Sequence, residues 1–346
     1  MKNIYDQNKK DLQEFFIKNE EKTFRADQIW NWLYVKGINC FDEISNISKK
    51  NISLIRENFY ISELKIKKKI ISKDKTTKWV FLLEDNKEIE TVYIPEGKRG
   101  TVCVSSQVGC SLACSFCHTG TMKLQRNLTL GEITGQVLKV KNELRDWCNG
   151  TEDRKVTNIV FMGMGEPLLN YKNVIDSLDI LSDERGLALS KRKITLSTSG
   201  IVPSIEKFKY EKDVNLAISL HAVSDKIRDE LVPINKKWPL SKLMSALSEY
   251  KKYRTKKRIT FEYIMLENIN DSLADADRLI ELLRPLKAKV NLIPFNPWPG
   301  SKYRVTSKEN IEKFKNRVLN KGKIITTIRA SRGEDVLAAC GQLKSL

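Results

Sequence analysis

The segment Cys110-Ser-Leu-Ala-Cys114-Ser-Phe-Cys117 decides how the rest of this chain is interpreted. Its spacing, C-x3-C-x2-C, brings three thiols together in one short loop, and no fourth cysteine follows at the spacing of ferredoxins. Iron–sulfur clusters are normally held by four Cys thiolates, so three ligands leave one iron open. An open coordination position distinguishes a reactive metal centre from a structural one. The spacing therefore predicts a reactive cluster.

Two other interpretations of these cysteines remain, a zinc knuckle and a loop of unrelated thiols. Zinc sites usually pair two C-x2-C arms at a distance. The sequence offers no second arm, and the spacing favours the cluster over zinc.

The composition is that of an ordinary globular protein. At 346 residues the chain exceeds one average domain, which predicts a large catalytic domain with a smaller appendage. The N-terminus is polar, and no apolar run approaches the length of a membrane span. Seven cysteines, of which three are clustered, do not resemble a secreted disulfide framework. We expect a cytoplasmic protein without a membrane partner.

The net charge of +18, from 61 basic and 43 acidic residues, favours a polyanionic partner. Basic residues bunch at 65–69, 251–258 and 329–332. Nucleic acid is the expected partner, and the alternative is a lysine-rich protein with solvated helix faces.

The hydrophobic pattern divides the chain into three parts. Residues 1–72 predict a small helical accessory domain that binds RNA, and residues 73–97 predict a β-hairpin extension. Residues 98–346 alternate between strands and amphipathic helices, with strands expected at 101–105, 158–161, 193–197, 214–220, 259–264 and 289–294. Such alternation indicates an α/β fold with a parallel sheet. An open (β/α)6 partial barrel is favoured, and a flavodoxin-like open sheet is the alternative.

The segment Gly163-Met-Gly165-Glu166-Pro167 directly follows the predicted strand 158–161. Glycines there allow the backbone to approach a ligand closely, and Glu166 could pair with a cationic amine. A simple turn before Pro167 is the alternative interpretation.

Polar side chains also end three later strands. The two-residue period of a strand places Ser197 with Ser199, and Ser219 with His221, on one face. Asn296 lies between two prolines at the end of the last strand. These groups could hydrogen-bond a ligand, whereas the alternatives are a packed or capping histidine and an Asn-Pro turn.

Three residues outside these motifs draw attention by their context. Cys103 lies on the strand that leads into the cysteine loop, and Cys340 lies near the C-terminus. Each would most often be a small buried hydrophobe, as we also expect of Cys40 and Cys148. Glu90 shares a strand face with apolar residues, where a carboxylate tends to have a raised pKa and can serve as a base. An exposed hairpin glutamate is the alternative.

Taken together, the motifs resemble those of the RlmN/Cfr family of radical S-adenosylmethionine (SAM) RNA methyltransferases, over about residues 24–343. The motifs are IETVxIP, the strand cysteine, C-x3-C-x2-C, FMGMGEPLLN, LSTSG, SLHA, PFNP and CGQL. The resemblance implies a radical SAM (β/α)6 partial barrel. It also implies one [4Fe–4S] cluster per chain, held by Cys110, Cys114 and Cys117. The residues implied to bind SAM are Gly165, Glu166, Ser197, Ser219, Leu220, His221 and Asn296.

The resemblance further implies a reaction that consumes two SAM molecules per turnover. The first methylates Cys340, and the second yields a radical that activates this methyl group for addition to C2 of an adenine. Glu90 would take the C2 proton, and Cys103 would attack Cys340 to form a disulfide and release the product.

The implied partners are 23S rRNA at the peptidyl transferase centre, an anticodon-loop adenosine of tRNA, and a reductant such as flavodoxin or ferredoxin. A monomer is expected. Two alternatives stay open: a Cfr-like adenine C8 methyltransferase, which the flanking segments favour less, and a non-catalytic metal-containing RNA-binding protein.

Overall fold

The computed structural model describes residues 1–147, 154–211 and 213–344. Cys148 lies outside these ranges. The predicted α/β alternation is confirmed, and none of the helices in the described ranges has the length and apolar character needed to span a bilayer.

The N-terminal part is mainly helical, as predicted. Asn8 and Asp11 form a capping box, with hydrogen bonds of 3.0 and 2.9 Å, where the first helix begins. The apolar stripe of these helices buries Phe16, Ile29 and Leu33 in the common core. The elements are β1 (Lys2–Asn3), α1 (Lys9–Lys18), α2 (Phe24–Asn31), a π-helical turn (Trp32–Lys36), α3 (Lys49–Asn58) and β2 (Phe59–Tyr60).

The hairpin extension is confirmed and is larger than predicted. It consists of three antiparallel strands, β3 (Lys65–Ile71), β4 (Thr77–Leu82) and β5 (Glu88–Glu96). The helical interpretation of residues 65–71 was wrong, because pairing with β4 determines their conformation. Their lysines lie on the outer edge of the sheet, where charged side chains discourage pairing with another strand.

From β6 (Arg99–Cys103) onward the sheet is parallel, and its strands follow one another in chain order. The six predicted strands are all present, and a seventh, short and partly exposed edge strand (Ile325–Ile328) escaped prediction. The elements are β6 (Arg99–Cys103), β7 (Gln107–Val108), β8 (Arg126–Asn127), α4 (Leu130–Leu144), β9 (Asn158–Phe161), α5 (Tyr171–Ser182), β10 (Ile194–Thr198), α6 (Val202–Phe208), β11 (Asn215–Ser219), α7 (Asp225–Leu231), α8 (Leu240–Tyr253), β12 (Ile259–Met265), α9 (Leu273–Leu283), β13 (Ala288–Pro294), α10 (Lys308–Gly322) and β14 (Ile325–Ile328).

The strand order distinguishes the two fold alternatives. The ten-stranded sheet runs β14-β13-β12-β11-β10-β9-β6-β5-β4-β3, and every pairing from β6 to β14 is parallel. A flavodoxin-like sheet reverses its order at a switch point. Strictly sequential parallel strands instead form a curved partial barrel, which here is left open at β14 and extended at β6 by the hairpin strands.

Candidate active site

A cavity that is open to solvent on one side lies at the carboxyl ends of the parallel strands. Parallel β/α folds place their ligands at this edge of the sheet. Nine of the predicted site residues line the cavity: Cys110, Cys114, Cys117, Gly165, Glu166, Ser197, Ser219, His221 and Cys340. The other four, Glu90, Cys103, Leu220 and Asn296, are not among the lining residues.

The cysteine loop is held by its own backbone and by the C-terminal end of α7. The Cys117 amide donates to the Cys114 carbonyl at 3.1 Å, and the Ser115 amide donates to the Leu231 carbonyl at 3.2 Å. Gly120 packs against the loop, where a Cβ atom would lie 2.5 Å from the Cys114 carbonyl oxygen. The loop therefore presents all three thiols to the same cavity.

The three thiols have the chemistry needed to bind the positively charged core of an iron–sulfur cluster. Burial raises the pKa of Cys110 to about 12, and burial also raises the pKa values of Cys114 and Cys117. Bound iron would oppose this effect, because a coordinating thiol is deprotonated by the metal. Within the described ranges, no three Cys, His, Asp or Glu side chains converge closely enough to hold a single metal ion.

The Gly165-Glu166 segment packs tightly against β7, the short strand that precedes the cysteine loop. Gly165 has φ +91°, and a Cβ atom there would lie 2.5 Å from Gln107 Cβ. Glu166 is buried, and its carboxylate accepts the amides of Leu168 at 3.0 Å and Ser199 at 2.8 Å. Burial raises the pKa of Glu166, while these donors lower it. A cationic amine would further favour the ionised form.

A buried guanidinium, Arg228 on α7, holds the ends of β10 and β11 together. It donates to the carbonyls of Ser199 at 2.7 Å, Ser219 at 3.1 Å and Leu220 at 3.0 Å. Burial lowers the pKa of Arg228 to about 10. Leu220 is fully buried, and its amide donates to the Glu262 carbonyl at 3.0 Å. Arg228 thus positions the segment that carries three predicted ligand residues.

His221 is held as a neutral imidazole. Its Nδ1 atom accepts the Ile264 amide at 3.1 Å, which leaves the proton on Nε2 as a donor. Burial, followed by the nearby Arg228 charge, lowers the pKa of His221 to about 3. Its φ of +61° and the Asn270 bond to its carbonyl at 2.7 Å fix the backbone. His221 can therefore donate a hydrogen bond to a ligand at neutral pH.

The C-terminal segment that carries Cys340 is fastened across the cavity. Asn296 donates to the Cys340 carbonyl at 3.1 Å and accepts a hydrogen bond from Ser331 at 2.6 Å. The His118 amide donates to the Gly341 carbonyl at 2.7 Å. Asn296 thus contacts the backbone of Cys340 and does not line the cavity.

Glu90 is buried, so the exposed-hairpin alternative is wrong. Its Oε1 lies 3.2 Å from Lys78 Nζ, and its Oε2 accepts the Lys344 amide at 3.0 Å. Burial raises the pKa of Glu90, while the Lys78 charge opposes that shift. The carboxylate therefore anchors the C-terminal segment in this structure.

Cys103 and Cys340 are both free thiols, so the disulfide that the resemblance implies is not present. Burial raises the pKa of Cys103 to about 12, and the neighbouring Cys340 adds to this shift. The Cys340 residue has surface accessible to solvent at the cavity. Protein nevertheless surrounds its thiol, and this burial raises the pKa of the thiol. Arg329 lowers the pKa of both thiols. The two cysteines therefore share one electrostatic environment.

Four residues of the site escaped the sequence analysis: Lys78, Arg228, Glu262 and Arg329. Glu262 and Arg329 line the cavity, whereas Lys78 and Arg228 fasten its walls. The one signal for Glu262 was a carboxylate inside the strand 259–264, which carries no other charged residue. Arg228 and Lys78 belong to segments that look like ordinary charged surface.

Comparisons with known proteins agree with this geometry. The radical SAM superfamily model matches residues 104–282, and the model described as ribosomal RNA large subunit methyltransferase N-terminal domain matches residues 2–61. The chain is 51% identical over 343 residues to the dual-specificity RNA methyltransferase RlmN of Parvibaculum lavamentivorans, covering 96% of this chain and 86% of the relative. It is 52% identical over 348 residues to the protein of the same name from Rhizobium meliloti, covering 96% and 84%.

A solved structure extends the comparison to the fold. The crystal structure of a radical SAM methyltransferase from Sphaerobacter thermophilus superposes with a TM-score of 0.91, at 39% identity and 99% coverage of both chains. The chain therefore belongs to the RlmN family of radical SAM RNA methyltransferases.

Proposed function

We propose that this protein methylates C2 of adenosine in 23S rRNA and in tRNA, with Cys340 as the residue that carries the methyl group. The observation that carries the proposal is the placement of Cys340 in the same cavity as Cys110, Cys114 and Cys117. The [4Fe–4S] cluster and SAM, when bound, supply a carbon-centred radical. The three cysteines are the proposed ligands of this cluster.

The other predicted residues have proposed tasks that agree with their contacts. Gly165, Glu166, Ser197, Ser219 and His221 line the cavity and would bind SAM. Asn296 would hold the Cys340 backbone in reach, and Leu220 would contribute through its backbone position between β11 and β12. Holding the reacting methyl group in a fixed orientation lowers the entropic part of the activation barrier and so increases the reaction rate.

Glu90 and Cys103 are proposed to complete the reaction. Glu90 would accept the C2 proton, and its access to that proton requires the segment after Cys340 to move, because Lys344 occupies one carboxylate oxygen. Cys103 would then attack the Cys340 sulfur and release the methylated RNA. The shared environment of the two thiols supports this pairing.

The RNA is proposed to contact the N-terminal domain, which matches a methyltransferase N-terminal model, together with the basic surface. Folded RNA must expose an unstacked adenine for such a reaction. A flavodoxin or ferredoxin as electron donor, a monomeric state, a cytoplasmic location and the domain boundaries at 72 and 97 remain predictions.

The decisive experiment is mass spectrometry of nucleosides from 23S rRNA and tRNA of cells that lack this protein. We expect 2-methyladenosine to disappear and to return with the wild-type gene but not with Cys340→Ser. Persistence of 2-methyladenosine would contradict the proposal, and loss of 8-methyladenosine instead would indicate a Cfr-like reaction.

Metal analysis separates the enzyme from a non-catalytic RNA-binding protein. Anaerobically purified protein should contain about four irons per chain with matching sulfide. One zinc per chain would contradict the cluster.

A further inference from the structure

Glu262 brings a buried carboxylate with one free oxygen into the wall of the cavity. The residue is 4% exposed and lines the cavity beside Ser219, His221 and Arg329. Its Oε1 accepts a hydrogen bond from Asn291 Nδ2 at 2.9 Å, but Oε2 receives none from the described residues. A buried polar atom without a partner is costly, so native structures usually supply one.

The carboxylate is held in place by a row of polar side chains across four adjacent strands. In register, Ser219 on β11 pairs with Glu262 on β12, Glu262 pairs with Asn291 on β13, and Asn291 pairs with Thr327 on β14. Thr327 Oγ1 donates to Asn291 Oδ1 at 2.7 Å. This bond directs the Asn291 amide nitrogen toward Glu262.

The backbone orients Glu262, and the neighbouring positive charges favour its ionised form. Its carbonyl accepts the amide of Leu220 at 3.0 Å, which fixes β12 against β11. Burial raises the pKa of the Glu262 carboxyl, while Arg329, Asn291 and Lys289 lower it. Arg329, which also lines the cavity, favours the ionised form, and an ionised carboxylate only accepts hydrogen bonds, so the partner that we infer is a donor.

We propose that Glu262 Oε2 accepts a hydrogen bond from a ribose hydroxyl of the adenosyl group of bound SAM. Two observations select this donor. Ser219, the register partner of Glu262, belongs to the proposed SAM-binding edge, and both side chains line the same cavity. Carboxylates at strand ends of α/β folds bind ribose hydroxyls in the same way in dinucleotide sites. The inference rests on the proposed function.

The test compares ligands as well as proteins. The anaerobically reconstituted holoenzyme is titrated by calorimetry with S-adenosylhomocysteine and with its 2′-deoxy and 3′-deoxy counterparts. The wild type should bind the ribose form at least about tenfold more tightly than one of the deoxy forms, the effect of one hydrogen bond to a charged group.

Glu262→Gln should sharply reduce this preference without changing side-chain size, because it removes the charge-assisted hydrogen bond. Because Asn291 donates to Oε1, the glutamine oxygen stays on Asn291 and its NH2 group turns to the cavity. The change thus replaces an acceptor by a donor at the ligand. The ratio between ligands is measured within one protein, so partial loss of folded material does not affect it. Glu249→Gln, which changes an exposed carboxylate on α8, is the matched control and should keep the ratio.

The outcomes separate this inference from the proposed function. A Glu262→Gln variant that keeps the wild-type ratio would overturn the inference alone. A wild type that binds none of the three ligands would overturn the proposed function and the inference with it. A third outcome is that the variant keeps the SAM-ligand ratio and loses the preference for adenosine over 2′-deoxyadenosine at the target position of the RNA. In that case the hydroxyl belongs to the RNA, and the assignment to SAM is wrong.

Discussion

Lys78 and Glu90 form a buried ion pair, with 3.2 Å between Nζ and Oε1, beneath the segment that carries Cys340. Each partner also holds one side of that segment. Lys78 donates to the Leu337 carbonyl at 3.0 Å, and Glu90 accepts the Lys344 amide at 3.0 Å. The hairpin extension therefore contributes, together with Asn296 and His118, to the position of the C-terminal cysteine.

Replacing Lys78 by Met should destabilise the protein and loosen its C-terminus. Removal of one partner leaves the Glu90 charge buried, which costs about 3–5 kcal/mol of unfolding free energy. We expect chemical denaturation to show this loss and limited proteolysis to cut faster near Leu337. Lys67→Met, which removes a half-exposed lysine that pairs with Glu88 on the neighbouring part of the sheet, is the control and should cost less than about 1 kcal/mol. Equal losses for both variants would contradict a special role of the buried pair.

Gly165→Ala should displace Glu166 from the cavity wall. The positive φ alone disfavours alanine by about 1–2 kcal/mol, and the Cβ atom would also collide with Gln107. The control Gly97→Ala shares a positive φ of +56° but has no atom within 4 Å of its Cβ position. The midpoint of thermal unfolding and the affinity for S-adenosylhomocysteine should therefore fall further in Gly165→Ala than in Gly97→Ala. Similar values for the two variants would show that the contact with Gln107 is unimportant.

Arg228→Lys should weaken the binding edge even though it preserves the charge. An ammonium group cannot reproduce the planar fork that reaches the carbonyls of Ser199, Ser219 and Leu220. We expect a loss of at least about 3 kcal/mol in unfolding free energy, together with weaker S-adenosylhomocysteine binding. Arg278→Lys, at an exposed guanidinium that lies 3.5 Å from Asp275, keeps the charge and should change stability by less than about 0.5 kcal/mol. An Arg228→Lys variant with unchanged stability and unchanged ligand binding would refute the proposed role of Arg228 in holding the two strand ends together.

The stability of the protein should depend on pH through His221. The folded state keeps this imidazole neutral down to about pH 3, whereas the unfolded chain takes up a proton below about pH 6.5. The stabilising contribution is therefore present above pH 6.5 and is lost as the pH falls toward 3. Urea unfolding of the cluster-free protein should lose up to about 1.4 kcal/mol per pH unit in this range through His221.

His221→Gln should remove this component of the pH dependence between pH 7.5 and 5.5. The matched control is His118→Gln, because His118 is the other histidine and its pKa is shifted less far in the same direction. If His221→Gln and the wild type show the same pH dependence, His221 does not remain neutral in the folded state.

Cys103→Ala should trap the reaction after the RNA has become attached to Cys340. Without a thiol to attack the Cys340 sulfur, covalent RNA–protein adducts should accumulate and appear as shifted bands on denaturing gels. The exposed Cys40 provides the control, and Cys40→Ala should release its product normally. A Cys103→Ala enzyme that turns over repeatedly would rule out the proposed resolving role.

Local patterns in the sequence were sufficient for most of the architecture. Six parallel strands were located from their apolar runs, and a capping box formed by Thr129 and Glu132 begins α4 through residues only three positions apart. These signals depend on neighbours within a few residues. The strands β3 and β14 escaped because they are edge strands, whose short or charged sequences adopt their conformation only through pairing.

The sequence alone was also sufficient to predict the cysteine spacing, the strand ends and the basic charge. These features depend only on composition and on neighbouring residues. Only the tertiary structure decided that Lys78 meets Glu90, that Arg228 clamps two strand ends, and that Glu262 stands in register with Asn291 and Thr327. Such contacts join residues far apart in sequence and depend on strand register and burial. A one-residue shift in register would turn these side chains to the opposite face of the sheet.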